Sequence, residues 1–169
     1  FFEPDINEIT SLCIEPSPQT KRLCKALPLA GKEFVPPVQE LIRDMENTFQ
    51  FEGRNMLEHG RDVFKNCNKV TTALKQGSSG DLKIPDVFFE YSDFLLENLH
   101  SDDIIRNYTI WHDCGKPYCR TVDENGKQHF PNHAEVCAKT FAKYFPEQSN
   151  KDIICRLIES DMDIHLLKD

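Results

Sequence analysis

An all-α helical bundle interrupted by one short β-hairpin is the architecture this sequence predicts, and three observations predict it. Apolar residues recur at helical intervals in stretch after stretch from Val38 to Ile158, whereas strand-like character is confined to residues 120–130. The chain has 169 residues, which suits one compact unit at about 150 residues per domain. Finally, 39% of its residues are hydrophobic and 10% aromatic, enough to bury a core.

The elements follow in order. Pro4, Pro16, Pro18, Pro28, Pro36 and Pro37 crowd the first 37 residues, and each fixes φ and removes a backbone donor, so no long regular element is expected there. Val38, Leu41, Ile42 and Met45 then step at helical intervals, as do Met56, His59, Val63, Val70 and Leu74. These are two helices or one broken one. Gly77 to Gly80 mark a joint, and Pro85 with Asp86 opens a helix carrying Phe88, Tyr91, Phe94 and Leu95. Ser101 is placed to cap a helix through Ile104, Ile105, Tyr108 and Trp111, which Gly115 and Pro117 end. Asn125-Gly126, flanked by Thr121, Val122 and Phe130, predicts a hairpin closed by a type I′ turn. Asn132 and Glu135 have capping-box spacing before a helix through Val136, Thr140, Phe141 and Tyr144, and a last helix runs through Ile153, Ile154, Leu157 and Ile158. Residues 1–50 are thus expected to be a Pro-rich extension with a leading helix, and residues 51–169 the domain proper, within what is expected to be a longer protein with a covalently linked partner domain.

Composition narrows the function. The formal charge of −8 is the opposite of the footprint of a protein gripping many phosphates, so long duplex DNA is disfavoured and a small or single-ended anionic ligand in a local basic spot fits better. No run of about 18 apolar residues occurs, so no membrane span is expected. Seven cysteines, an odd number with neither compact spacing nor a signal peptide, predict reduced thiols and a cytoplasmic location.

Residues of ligand type fall on faces expected to be buried. His59 shares a stripe with Met56, Val63 and Val70, and His133 shares one with Val136, Cys137, Thr140 and Tyr144. Asp161 and His165 stand four apart below Ile154 and Ile158, and the doublet His112-Asp113 ends another helix. Asp163 is rotated about 200° from Asp161, so Asp161 is the expected carboxylate. Buried polar groups cost roughly 1 to 3 kcal/mol each when unpaired, and a shared divalent cation satisfies several at once. Imidazole nitrogens with carboxylate oxygens suit manganese, iron, zinc, nickel or cobalt.

Three phrases carry a resemblance: Leu57-Glu58-His59, His112-Asp113-Cys114-Gly115-Lys116-Pro117, and Pro131-Asn132-His133-Ala134-Glu135-Val136. Together, over roughly residues 50–169, they resemble the HD phosphohydrolase superfamily, most closely the HD domains of bacterial tRNA nucleotidyltransferases and of polynucleotide kinase fusions. The resemblance implies a helical core holding one or two divalent ions (manganese, nickel, cobalt, iron, zinc or magnesium). It also implies hydrolysis of phosphoesters at RNA ends or on nucleotides, with 2′,3′-cyclic, 2′- or 3′-phosphates as substrates. Carried over by position, His59, His112 and Asp113 match the first ligands; with Asp161, taken from its inward stripe where related sequences often carry a histidine, they are expected to hold a first metal, and His133 and His165 a second ion or the scissile phosphate. Lys116 is expected to clamp the phosphate as a flexible point charge, and Asp113 to help orient the attacking water.

Other readings compete. A deoxynucleotide or 5′-nucleotide phosphohydrolase would share the metal centre, and a non-catalytic nucleotide- or RNA-binding module would keep the fold without turnover. Ala30-Gly31-Lys32 lacks the earlier glycine of a phosphate-binding loop, and His133-Ala134-Glu135 has no Pro-Cys-x-x-Cys after it, so neither an ATP-binding loop nor a deaminase is indicated. Cys114 is expected to pack, and His100 and His129 to be surface residues.

Overall fold

A computed structural model describes residues 35–51 and 53–163. The described chain is mainly helical. In order it runs α1 (Val38–Glu46), β1 (Phe49–Phe51), β2 (Arg54–Asn55), α2 (Met56–Gln76), α3 (Asp86–Glu90), α4 (Ser92–Glu97), α5 (Asp102–Trp111), α6 (Lys116–Cys119), β3 (Thr121–Val122), β4 (Gln128–His129), α7 (His133–Tyr144) and α8 (Lys151–Glu159). Each pair of strands forms its own two-stranded antiparallel sheet.

Long α2 packs along α5, while α8 lies along α7 and also crosses α5, so α5 is covered from two sides. Leu41 and Met45 of α1, Met56 and Leu57 of α2, Ile110 and Trp111 of α5, Phe141 of α7 and Ile154 and Ile158 of α8 are all buried in one core. Burying each such side chain stabilises the fold by about 1.5 to 3 kcal/mol. Because Leu41 and Met45 belong to that core, α1 is part of the domain, and a boundary at residue 50 separates elements that pack as one unit. Tyr118 reinforces the join by donating its hydroxyl to Asp44 of α1 at 2.9 Å while standing 3.2 Å from the Tyr144 hydroxyl of α7.

Local chemistry departs from the sequence expectation at several ends. The capping box is at Asn55, whose side chain accepts from the Glu58 amide at 2.9 Å while Glu58 accepts from the Asn55 amide at 3.2 Å. Asn132 is not one: it sits at φ 54°, outside the extended conformation a side-chain cap requires, and Glu135 pairs with Lys139 instead. Ser101 precedes α5 but makes no side-chain cap. The predicted helix around Phe88 to Leu95 is broken at Tyr91 into α3 and α4. The predicted hairpin is present, with Thr121 opposite His129 and Val122 opposite Gln128, but its loop is not type I′. A type I′ turn needs positive φ at both central residues, whereas among residues 123–127 only Gly126 has it (78°), and the Gly126 amide bonds the Asp123 carbonyl at 3.0 Å. That is a three-residue loop with a left-handed glycine at its end. A second small hairpin, β1 with β2 across Gly53, separates α1 from α2; Phe49-Gln50-Phe51-Glu52 alternates apolar and polar, but over too few residues to predict a strand.

Candidate metal centre

The centre is built at the crossing of α2 and α5. Gly60 makes the crossing possible: a Cβ there would collide with the backbone carbonyl of Ile110, so only glycine lets the two helices approach this closely. The preceding residue of α2 is His59, and two residues beyond Ile110 comes His112. Close backbone contact therefore sets the distance between the two imidazoles, whose ring centroids lie 5.3 Å apart.

After Trp111 the chain turns sharply, with the Cys114 amide on the Trp111 carbonyl at 3.0 Å and the Lys116 amide on the Asp113 carbonyl at 3.1 Å. Gly115 is pressed onto α7, where a Cβ would stand 2.5 Å from the Cys137 backbone nitrogen, and its own amide donates to Cys137 Sγ at 3.1 Å. Cys114 is fully buried, its thiol on the Cys137 carbonyl at 3.4 Å, so it packs as expected. These contacts bury six consecutive residues, 111–116, among them His112 (8% exposed), Asp113 (2%) and Lys116 (5%). The other buried polar side chains among the described residues are all threonines.

Ligand atoms of His59, His112 and Asp113 all lie within 4.8 Å of one another and can hold a metal ion. Asp113 Oδ2 is the hub, at 3.4 Å from His112 Nε2, 3.7 Å from His59 Nε2 and 2.8 Å from Lys116 Nζ. The tautomer of His112 follows from its other nitrogen. Nδ1 lies 2.9 Å from the Thr109 carbonyl, which can only accept, so Nδ1 carries the hydrogen and Nε2 is the nitrogen turned toward the carboxylate. His59 is held below the ordinary histidine value of 6.5, first by partial burial, with the Asp113 carboxylate pulling the other way and His112 and Lys116 adding to the lowering. Lone pairs on imidazole nitrogens converging with a carboxylate oxygen are a donor set suited to a borderline divalent cation. The observed donors therefore fit the expected metal.

The other expected ligands are placed differently. Asp161 follows α8 and accepts the Tyr108 hydroxyl at 2.6 Å, and the Tyr108 ring in turn lies 6.1 Å from that of His112. Asp161 thus stands one residue behind the imidazole and outside the three-residue group. His133 is half-buried at the start of α7, its Nδ1 on the Phe130 carbonyl at 3.1 Å, and it too is outside that group. His165 lies outside the described residues. Lys116 was expected as a flexible phosphate clamp; its side chain is buried, bonded to Asp113 and 5.5 Å from the centre of the Phe130 ring. His59 lies at the rim of α2's buried face, set by Met56, Leu57, Gly60 and Leu74, and its side chain stays 30% exposed. That rim position makes the centre reachable from solvent.

Sequence reasoning missed Thr109, Gly60, Gly115 and Tyr108. The first had a findable signal: His112 bonds the carbonyl three residues earlier, one helical turn back along α5, and His133 repeats that spacing across the turn before α7. No activated thiolate competes for a catalytic role among the shifted cysteines, since burial pushes the thiols of Cys67, Cys114, Cys119 and Cys155 upward. No helix among the described residues is long and apolar enough to cross a membrane. The chain matches no family model, no curated protein and no solved structure.

Proposed function

We propose that this chain is an HD-type, metal-dependent phosphoesterase that hydrolyses phosphate esters at RNA ends or on nucleotides, with 2′,3′-cyclic, 2′- or 3′-phosphates as its substrate class. One observation carries the reading: an imidazole of α2 and the imidazole and carboxylate that follow α5 converge within 4.8 Å, beside a buried lysine. His59, His112 and Asp113 would hold the cation, with His133, Asp161 and His165 as outer or second-ion positions. A divalent cation bound there would supply Lewis acidity toward a water molecule and toward a phosphoryl oxygen.

The chain's own groups do the rest. The Thr109 carbonyl fixes the His112 tautomer, so the ring needs no reorganisation to present Nε2. Asp161 steadies Tyr108 against His112 and keeps that wall of the site in place. Lys116 is a positive charge beside the carboxylate hub, placed to donate to a phosphoryl oxygen without leaving its pocket. The acidic balance of the whole chain favours a single phosphate group at one basic spot over a strand tracked along a groove.

The test is a phosphate-release panel with manganese, nickel, cobalt or magnesium. Substrates are RNA bearing 2′,3′-cyclic or 3′-phosphate ends, deoxynucleoside triphosphates and 5′-mononucleotides. Release from the RNA ends, abolished in His112→Ala and Asp113→Ala variants that remain folded, is the expected result. Turnover of the triphosphates or 5′-mononucleotides alone would replace the substrate class. Metal binding without turnover of any substrate would make the domain a binding module.

A further inference from the structure

Helices α3 and α4 are unlike the rest of the molecule. Neither contains a buried residue, and α4 is held to the body through α2. Phe89, Leu95 and Leu96 turn partly inward, yet Val87 (49% exposed), Phe88 (41%), Tyr91 (58%), Phe94 (63%) and Leu99 (42%) face solvent within a stretch of 13 residues. Scattered exposed apolar residues are ordinary, whereas a contiguous group of aromatic side chains marks a surface that something covers. Its border is acidic: Asp86, Glu90, Asp93 and Glu97 are all exposed.

A complement of that surface lies ahead of the described domain. From Lys21 to Lys32 the sequence holds Lys21, Arg22, Lys25 and Lys32, no acidic residue, and the leucines Leu23, Leu27 and Leu29. In a protein of net charge −8 this is a local concentration of basic and apolar residues outside the described domain. Lys32 stands three residues before Val35, so the segment is tied to the described domain by a linker of about 10 Å, and its own dozen residues span up to about 40 Å when extended. A domain of this size has a radius of gyration of about 14 Å, so the segment's length is comparable to the domain's width.

We propose that the acidic, aromatic face of α3 and α4 is the docking surface for this chain's own segment Lys21 to Lys32. Its leucines cover Phe88, Tyr91 and Phe94, and its lysines and arginine pair with the surrounding carboxylates. Apolar contact supplies most of the attraction, and the charges set register and orientation.

Hydrogen exchange on the full chain tests this. In the triple variant K21E/R22E/K25E, amides of residues 86–99 are expected to exchange about tenfold faster while those of α5 and α7 are unchanged. Reversing the face as well, with E90K/D93K, restores protection. Phe94→Ser reports from the other side, with faster tryptic cleavage after Arg22 and Lys25. Should a variant fold poorly, raising salt to about 0.5 M on the unaltered chain weakens the charged part of the contact and gives the same directional change. Equal exchange in all variants and at both salt concentrations overturns the proposal. So does protection that grows with protein concentration alongside a dimer in sedimentation, because a second copy is then the occupant.

Discussion

Two histidine–aspartate pairs in this molecule look alike on paper and differ in every respect that matters for chemistry. On the β3–β4 hairpin, His129 Nε2 lies 2.9 Å from Asp123 Oδ2, closer than either imidazole approaches Asp113. Yet Asp123 is occupied locally: its other oxygen accepts from the Asn125 and Lys127 amides, both at 2.9 Å, and these bonds with His129 hold its carboxyl below the usual range while closing a surface loop. The Asp113 pair is looser, at 3.4 and 3.7 Å, but buried, with a second histidine, a lysine and a ring fixed by a backbone carbonyl. Short distance marks a satisfied surface contact, whereas several donor atoms converging under burial mark a set that one cation can share.

The comparison breaks most severely at the hub. Asp113→Asn removes the carboxylate that faces both imidazoles and breaks the buried ion pair between Asp113 and Lys116, a change that typically costs about 3 to 5 kcal/mol. Thermal melts should show that loss, and calorimetric titration with manganese should show no binding. A variant that binds manganese as tightly as the parent would remove Asp113 from the centre.

Gly60→Ala probes how the helices hold the imidazoles apart. The added methyl meets the Ile110 carbonyl, backbone against backbone, so α2 and α5 must separate, at about 1 to 3 kcal/mol for overpacking. Metal affinity should fall by more than stability alone explains, because His59 moves with α2. Unchanged affinity in a destabilised protein would show that the crossing is structural only.

The acid side of the stability profile gives a smaller effect. His59 lies below 6.5 when folded, so below that pH the unfolded chain binds the extra proton first and folding loses stability. Above 6.5 its contribution is flat. The difference between parent and His59→Ala melting temperatures should therefore be constant at neutral pH and change as pH falls below 6.5, and a difference independent of pH would contradict the burial argument. Smallest of all, His129→Ala should shift stability by no more than about 0.5 kcal/mol, as surface substitutions do. Its manganese titration should match the parent, and a loss of binding there would erase the distinction between the two pairs.

Helix positions were legible because each long helix writes a 3.6-residue repeat into its apolar residues, as Leu41 with Met45 and Ile154 with Ile158 do. Ends were less legible. Asn55 with Glu58 and Asn132 with Glu135 have the same spacing, and only backbone conformation distinguishes the capping box from the left-handed turn. Within the site, His59, His112, Asp113 and Lys116 could be singled out because polar residues among apolar repeats demand partners. Asp161 could not be assigned from its stripe, since its hydrogen bond to Tyr108 spans 53 residues of sequence.

What the amino-acid order determined alone is the set of long helices, the hairpin at Asn125-Gly126 and the handful of polar residues destined for the interior. These follow from neighbours a turn or less apart. Which of those residues meet was decided by the crossing of α2 over α5, where a glycine lets two backbones touch, and by the turn that buries residues 111–116 against α7. Contacts of that kind depend on the three-dimensional path of the chain, and no local repeat encodes them.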